Sequence, residues 1–204
     1  MCRNSTGVFR QNGRSSIVQT AAADSLLRGW RDDLLSGRLS LAGFRQVVTA
    51  HVLSQIRCSE VSIWHFTGPV GQRRLVCVAA NDQVGGWHER PYDDLLESQF
   101  GEYFDELSRT RIVRSDDAWA DPRLAGFRDT LVERDVRALL DVSFAVNGHI
   151  YGVICCEQTG HTRNWTPAET QWLRRFATAL STQIARARGA DQWEKPLPAA
   201  VMVR

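Results

Sequence analysis

The stretch ALLDVSFAVNGHIYGVICCE, residues 138–157, decides the fold of this chain. Two runs rich in apolar residues flank Asn147 and Gly148, and Asn-Gly is the dipeptide that most readily takes positive φ at both central positions of a two-residue hairpin loop. The sequence therefore predicts two long antiparallel strands joined by a tight turn. Because the loop length sets the register, the strand pairing follows by counting back from a Val146–His149 pair.

This count pairs Asp141 with Ile154 and Leu139 with Cys156. Residues that face each other across an antiparallel pair project from the same side of the sheet, so Asp141, Ser143 and Cys156 share one side. The other side is almost wholly apolar. Such a ribbon predicts helices against its apolar side and a ligand cavity over its half-polar side. The alternative is that Asp141 only bonds to loop backbone, because buried polar groups are normally hydrogen-bonded.

Size and composition limit the classes of protein to which this chain can belong. With 204 residues, 43% of them hydrophobic, it is long enough for one domain with a substantial core. Its 25 basic and 23 acidic residues nearly cancel, so nucleic acid is not an expected partner. No apolar run reaches the roughly 20 residues that span a bilayer, and the polar N-terminus lacks a secretory signal pattern. We expect a cytoplasmic protein that does not enter membranes.

The five cysteines are scattered and show no CxxC spacing. An odd number of cysteines without paired spacing predicts neither a disulfide framework nor a zinc site. The sequence does not identify any metal or cofactor.

Hydrophobic periodicity predicts the order of helices and strands. Helical spacing covers residues 24–36, 41–58, 100–107 and 124–131, whereas strand patterns cover 61–66, 75–80 and 111–115, before the hairpin. Thr166 and Glu169, with Pro167 between them, have the spacing of a capping box that opens a long final helix.

Together these elements predict an α+β domain over residues 19–188, with flexible tails at 1–18 and 189–204. Its central antiparallel β-sheet has five to six strands. The N- and C-terminal helices cover one face of the sheet, and short helices and loops cover a ligand pocket on the other.

Three segments resemble the GAF domain family of small-ligand sensory modules. They are RIVRSDDAWADPRL after a mid-domain strand, the final hairpin with a glycine in its second strand, and RNWTPAE before the last helix. The positions that carry the resemblance are Ile112, Val113, Asp116, Asp117, Asp121, Pro122, Arg123, Gly152, Arg163, Trp165, Thr166 and Glu169. The resemblance covers about residues 22–188 and implies a PAS-like sheet with a pocket on one face and a helical dimerisation surface on the other.

The resemblance does not identify a ligand. Family members bind cyclic nucleotides, bilins, haem, amino-acid-derived effectors, anions or nothing, so the fold alone cannot name the molecule. The chain also departs from common family patterns. Ser143 stands where many relatives have proline, and Cys156 where some have histidine, while a bilin-attachment signature and the cyclic-nucleotide motif are both absent.

The register and the resemblance together give a set of candidate ligand-binding residues. Trp64 can stack on a planar ligand or simply fill the core. Asp116 and Asp117 end a strand near Asp141, although the alternative is that they cap turns. Several carboxylates around one cavity would require a cation, so we expect an arginine there, either Arg111 or Arg137. The candidates are Trp64, Phe66, Tyr103, Arg111, Asp116, Asp117, Asp141, Ser143 and Cys156, with packing of a lid helix as the alternative role for Tyr103.

We interpret the chain as a non-catalytic sensor in which a small ligand orders the lid segment and the sheet passes the change to the terminal helices. The apolar stripes that contain Trp30, Val48 and Leu180 predict a homodimer through these helices. No kinase, cyclase or helix-turn-helix segment is visible, so the output would act in trans on a signalling partner.

Two alternatives remain. The first is a reductase of free methionine sulfoxide, in which one thiolate attacks the sulfoxide and a second cysteine resolves the intermediate. That chemistry needs two approachable cysteines, and the predicted register directs only Cys156 toward the cavity. The second is a structural dimer whose pocket is occluded.

Overall fold

The computed structural model of the chain describes residues 23–146 and 148–188. The predicted tails at 1–18 and 189–204 lie outside the described residues, and so does Asn147 of the predicted turn. The hairpin itself is present: Val146 pairs with His149, and Gly148 has a φ of 82°.

The described residues form an α+β domain in which every strand pair is antiparallel. In chain order the elements are α1 (23–35), α2 (Leu41–Ile56), β1 (Glu60–Thr67), β2 (Arg74–Asp82), β3 (Gly86–His88), β4 (Leu95–Leu96), α3 (Gly101–Thr110), β5 (Ile112–Ser115), a 3-10 helix (Pro122–Phe127), α4 (Arg128–Glu133), β6 (Val136–Val146), β7 (His149–Thr159) and α5 (Pro167–Arg188). The strands follow the order β3-β2-β1-β7-β6-β5 across the sheet, and β4 pairs with β2.

The predicted fold class is confirmed. Two short strands, β3 and β4, add to the sheet where the sequence indicated mostly loop, and both pair with the outer edge of β2. The short helix predicted around 124–131 is a 3-10 turn that continues into α4.

The helix starts follow their local sequence signals. The Ser40 hydroxyl accepts a hydrogen bond from the Gly43 N–H at 3.0 Å and caps α2. At the start of α5, the Glu169 N–H donates to the Thr166 hydroxyl at 3.2 Å, and the Thr166 N–H donates to the Glu169 carboxylate at 2.7 Å. This reciprocal pair is the capping box that the sequence predicts.

Two apolar cores lie on opposite faces of the sheet. On one face α2 and α5 pack against a cluster that includes Val48, Leu140 and Leu180. On the other face α3 and α4 cover a cluster that includes Phe104 and Leu131. Val48 and Leu180 are 0% and 2% exposed, so these residues are used within the chain and do not form an external dimer surface.

The predicted register of the final hairpin is wrong by one residue beyond its turn. Ala145 pairs with Ile150 but Phe144 pairs with Gly152, so Tyr151 is an extra residue in β7. Such a β-bulge turns every residue beyond it to the other side of the sheet. Asp141 consequently pairs with Cys155.

The bulge corrects the predicted position of Cys156. This residue pairs with Leu140 and lies in the core beneath the helices, on the face opposite the predicted cavity. The prediction for Cys155 is wrong in the same way: this residue lies on the face of Asp141, in the place that the sequence assigned to Cys156.

Gly152 is required by a close approach between β7 and its neighbours. A Cβ placed on this residue would lie 2.6 Å from the Phe144 ring and closer still to the Trp64 carbonyl oxygen. We expect Gly152→Ala to destabilise the protein by about 1–3 kcal/mol, because overpacked groups must move and the Trp64 carbonyl belongs to a central strand. Urea unfolding followed by circular dichroism measures this loss.

The same substitution at Gly29 is the matched control. Gly29 lies within α1 and an added Cβ meets nothing within 4 Å. Alanine at this position should stabilise the protein by about 0.5–1 kcal/mol, as expected for a helix interior. Equal effects of the two variants would contradict the packing role of Gly152.

None of the described helices combines the length and apolar character needed to cross a membrane.

Candidate functional site

A cavity of about 450 Å³ lies between the sheet and the cover formed by α3, α4 and the segment before α3. The sheet supplies its floor through side chains of β1, β6 and β7, among them Trp64, Leu139, Asp141 and Cys155. Tyr103 of α3 and Tyr92 of the preceding segment contribute to the walls. This position matches the pocket predicted on the face opposite the terminal helices.

Asp141 is the most deeply buried carboxylate of the cavity, with 3% of its surface exposed. Its Oδ2 accepts a hydrogen bond from the Tyr103 hydroxyl at 2.6 Å. Its Oδ1 has no hydrogen-bond partner among the described residues. A buried carboxylate with one unsatisfied oxygen is costly unless the group holds a proton or meets a ligand.

The surroundings of Asp141 favour its neutral form. Burial and, to a smaller extent, the negative charge of Glu157 raise the pKa of Asp141 to about 7, while the hydrogen bond from Tyr103 and the neighbouring Cys155 thiol and Cys156 N–H oppose this rise. Asp141 therefore titrates close to neutral pH, where a small change in its surroundings alters its charge.

Cys155 lies beside this pair, with its Sγ 3.9 Å from the Tyr103 hydroxyl oxygen. Burial, together with the neighbouring carboxylates Asp141 and Glu157, raises the pKa of the Cys155 thiol well above its usual range. Burial has the same effect on Cys156, and it raises the pKa of Cys77 to about 12. These thiols stay protonated at neutral pH, and a protonated thiol is a poor nucleophile.

Trp64 and Tyr103 lie in the cavity, as the sequence predicts. The Trp64 ring stacks on Tyr92 with their centroids 6.1 Å apart, and its indole N–H donates to the Ser62 hydroxyl at 2.8 Å. This hydrogen bond fixes the plane of the indole ring. A flat aromatic surface is thus held at the cavity wall.

An ion-pair network at the edge of the cavity was not indicated by any feature of the sequence. Arg134, at the end of α4, donates to Glu157 of β7 at 2.5 Å and to Glu60 of β1 at 3.1 Å. Its guanidinium also lies 4.2 Å from the centre of the Tyr92 ring. The Tyr92 hydroxyl in turn donates to Glu60 at 2.7 Å.

Arg134 is therefore the arginine that lies at the cavity, and it pairs with Glu157 and Glu60 but not with Asp141. The two arginines named from the sequence lie elsewhere. Arg137 stacks on Trp119 with its guanidinium 3.9 Å from the ring centre. Arg111 caps the end of α3 and lines a separate open groove beside α5.

Two further candidates belong to the packing around the cavity. Phe66 contacts Phe104 edge to face, with the ring centroids 5.5 Å apart. The Ser143 hydroxyl faces the Leu107 carbonyl oxygen at 3.5 Å, and the backbone N–H of Ser143 donates to the Arg111 carbonyl. Neither side chain lines the cavity.

Asp116 and Asp117 also lie outside the cavity, in an open surface depression. Asp116 pairs with Arg114 at 2.8 Å and accepts a hydrogen bond from the Trp165 N–H at 3.0 Å. The arginine holds the pKa of Asp116 below its usual range. Asp117 accepts from the Trp119 N–H at 3.2 Å, as expected for the turn-capping alternative.

The described residues contain no group of three or more histidine, cysteine, aspartate or glutamate side chains placed to hold a metal ion. The cavity instead combines aromatic walls, one arginine and several carboxylates. Such a lining is suited to a small organic molecule with polar groups.

Comparisons with known structures show the same fold. The blue-light-absorbing GAF domain of PixJ from Thermosynechococcus elongatus is 20% identical, with a TM-score of 0.62 over 72% of this chain and 86% of that one. The phycoerythrobilin-bound GAF domain of a cyanobacterial phytochrome is 12% identical, with a TM-score of 0.65 over 83% and 98%.

A third similar structure is the GAF domain of an Acinetobacter phosphoenolpyruvate-protein phosphotransferase, at 18% identity and a TM-score of 0.60 over 82% of this chain and 95% of that one. No curated protein matches the chain. The sequence model of the GAF domain matches residues 41–184, which is more than half of the chain. This chain therefore belongs to the GAF domain family.

Proposed function

We propose that the chain is a non-catalytic sensory module that binds a small molecule in the cavity above Asp141. The observation that carries this proposal is the unsatisfied carboxylate oxygen of a buried residue at the floor of a cavity of about 450 Å³. Two of the similar structures are GAF domains of a cyanobacterial phytochrome with a bound bilin, and they support a small-molecule ligand for this fold without indicating which one.

The position of β6 supplies a route from the cavity to the terminal helices. Asp141 faces the cavity, whereas the adjacent residues Leu140 and Val142 lie in the core against which α5 packs. A ligand that moves Asp141 or Tyr103 would thus shift a strand in direct contact with α5. We propose that the terminal helices pass this change to a signalling partner in trans, and that two copies associate through surfaces of these helices other than the buried Val48 and Leu180.

The sulfoxide reductase alternative has less support. Among the described cysteines, Cys155 alone lines the cavity, and Cys156 lies on the opposite face of the sheet. The raised pKa of both thiols also works against a thiolate nucleophile. Thiol titration and an assay for sulfoxide-dependent oxidation test this alternative directly.

Native mass spectrometry tests the sensor proposal. We expect wild-type protein incubated with a metabolite extract to retain a small molecule that denaturation releases, in a complex of two subunits. Thr130→Trp should prevent this retention, because Thr130 lines the cavity. Val132→Trp, on the exposed side of the same helix, is the control and should retain the molecule. Retention by both variants would contradict binding in this cavity, and a monomeric complex would contradict only the dimer.

A further inference from the structure

Two halves of the cavity carry the same chemical groups, but only one half contains a cation. In the first half, Tyr92 and two carboxylates surround the guanidinium of Arg134, which lies over the tyrosine ring. In the second half, Tyr103 and Asp141 form a hydrogen-bonded pair beside the Trp64 ring. No ion pair among the described residues involves Asp141, and its Oδ1 is unsatisfied.

The charges of the residues that line the cavity also indicate that a cation is missing beside Asp141. The residues around the cavity include five carboxylates and one guanidinium, that of Arg134, and one of the carboxylates, Asp94, also pairs with Arg74 outside the lining at 3.2 Å. Arg134 is already bound to Glu60 and Glu157, so it does not neutralise Asp141. A concave site with an excess of one sign of charge attracts ligands of the other sign. Aromatic rings at the walls stabilise cations further, as the position of Arg134 over Tyr92 illustrates.

We propose that the cavity binds a small planar molecule with a positively charged amidino or amino group, whose N–H groups donate to Asp141 while its ring lies against Trp64. This proposal rests on the sensor function and adds the chemical class of the ligand. A cation would supply the partner that Oδ1 lacks and keep Asp141 in its ionised form.

Three probes of matched size and shape test the proposal: benzamidine as the cation, benzamide as its neutral analogue and benzoate as the anion. Their dissociation constants are measured by NMR titration at pH 8. We expect benzamidine to bind at least roughly tenfold more tightly than benzamide, since a desolvated ion pair discriminates strongly, and benzoate to bind most weakly.

The variant Asp141→Asn should reduce the preference for benzamidine over benzamide to less than about threefold and leave benzamide binding nearly unchanged. Asp129→Asn makes the same change at an exposed position on α4 and should keep the preference of the wild type. Circular dichroism establishes that both variants are folded.

The pH dependence of wild-type binding provides a second measurement that needs no variant. The groups that act on Asp141 are Tyr103 of α3 together with Cys155 and Glu157 of β7, and Arg134 pairs with Glu157. Because benzamidine stays charged throughout while Asp141 must lose its proton to pair with it, binding should strengthen about tenfold between pH 6 and pH 8. Benzamide binding should change little.

The outcomes separate this proposal from the sensor function. Binding of benzamide or benzoate as tight as that of benzamidine would overturn the cationic ligand and leave a cavity that binds small molecules. An unchanged preference in Asp141→Asn would overturn the role of Asp141. Failure of all three probes, with no small molecule retained in native mass spectrometry, would overturn both proposals.

Discussion

Replacing Asp141 by asparagine should flatten the dependence of folding stability on pH between about 4 and 7. In the wild type, burial raises the pKa of Asp141 from 3.8 to about 7. Between these values the folded protein holds a proton that the unfolded chain has released, so stability falls as the pH rises through this window. Three pKa units correspond to about 4 kcal/mol. Asparagine cannot titrate, so the variant should not lose stability in this way as the pH rises.

The measurement is the free energy of unfolding in urea at several pH values from 4 to 8.5, for the variant and the wild type. Relative to that of the wild type, the free energy of unfolding of Asp141→Asn should increase by about 4 kcal/mol between the lowest and the highest pH. Asp129→Asn, at an exposed site, should differ from the wild type by less than about 0.5 kcal/mol at every pH. A constant difference between Asp141→Asn and the wild type would show that Asp141 ionises normally in the folded protein.

Local signals in the sequence predicted the parts of the fold that depend on local chemistry. The capping box of Thr166 and Glu169 and the hairpin around Gly148 both form as expected, and Ser40 caps α2 in the same local manner. Each depends on residues within a few positions of one another, so its geometry is set by the adjacent chain. The two-sided sheet followed from the alternation of apolar residues in β1 and in the hairpin.

The face of the sheet on which Cys156 lies could not be predicted by counting residues from the hairpin turn. A regular ladder places it beside Asp141, but the extra residue at Tyr151 reverses the face of every later residue in β7. Gly152 was the available signal, because a glycine inside a strand often marks a bulge or a close approach of the backbone. Its close contact with Trp64 depends on the central strand β1, which the hairpin sequence does not contain.

The motif residues of the GAF resemblance serve the scaffold. Asp116 holds the loop before α5 through the Trp165 N–H. Arg163 donates to the Ile56 carbonyl at 2.7 Å and to Glu169 at 2.6 Å, and it thereby ties the end of α2 to the start of α5. Both residues therefore stabilise the scaffold of this chain, and neither lines the cavity.

Arg134 and its partners had no sequence signal because they come from distant parts of the chain. Glu60, Tyr92 and Glu157 lie in β1, in the segment before β4 and in β7, and they meet only when the sheet has formed. The sequence did indicate that some arginine must balance the carboxylates. It could not indicate which one, because that choice depends on tertiary structure.

Replacing Arg134 by methionine should be among the most destabilising substitutions in this protein. It would leave Glu60 and Glu157, whose side chains are 13% and 14% exposed, close together without a cation. Removing one partner of a buried ion pair costs about 3–5 kcal/mol. Burial and the charge of Glu157 already raise the pKa of Glu60, and Arg134 opposes that rise. The loss of stability in Arg134→Met should therefore be largest at pH 8 and smaller at pH 5, where Glu60 can take up a proton.

A double-mutant cycle with Glu60→Gln makes this prediction specific. In the wild type, Glu60→Gln removes a partner of Arg134 and should destabilise the protein, whereas in Arg134→Met it removes a repelled charge and should stabilise it. Arg38→Met is the control, since its ion pair with Asp33 is exposed and should contribute less than about 1 kcal/mol. If Glu60→Gln changes the free energy of unfolding in the same direction in both backgrounds, Arg134 does not hold the two carboxylates together. Because Arg134 shares Tyr92 and Glu157 with the cavity, the same cycle measured with bound benzamidine would also show whether this network and the ligand site are coupled.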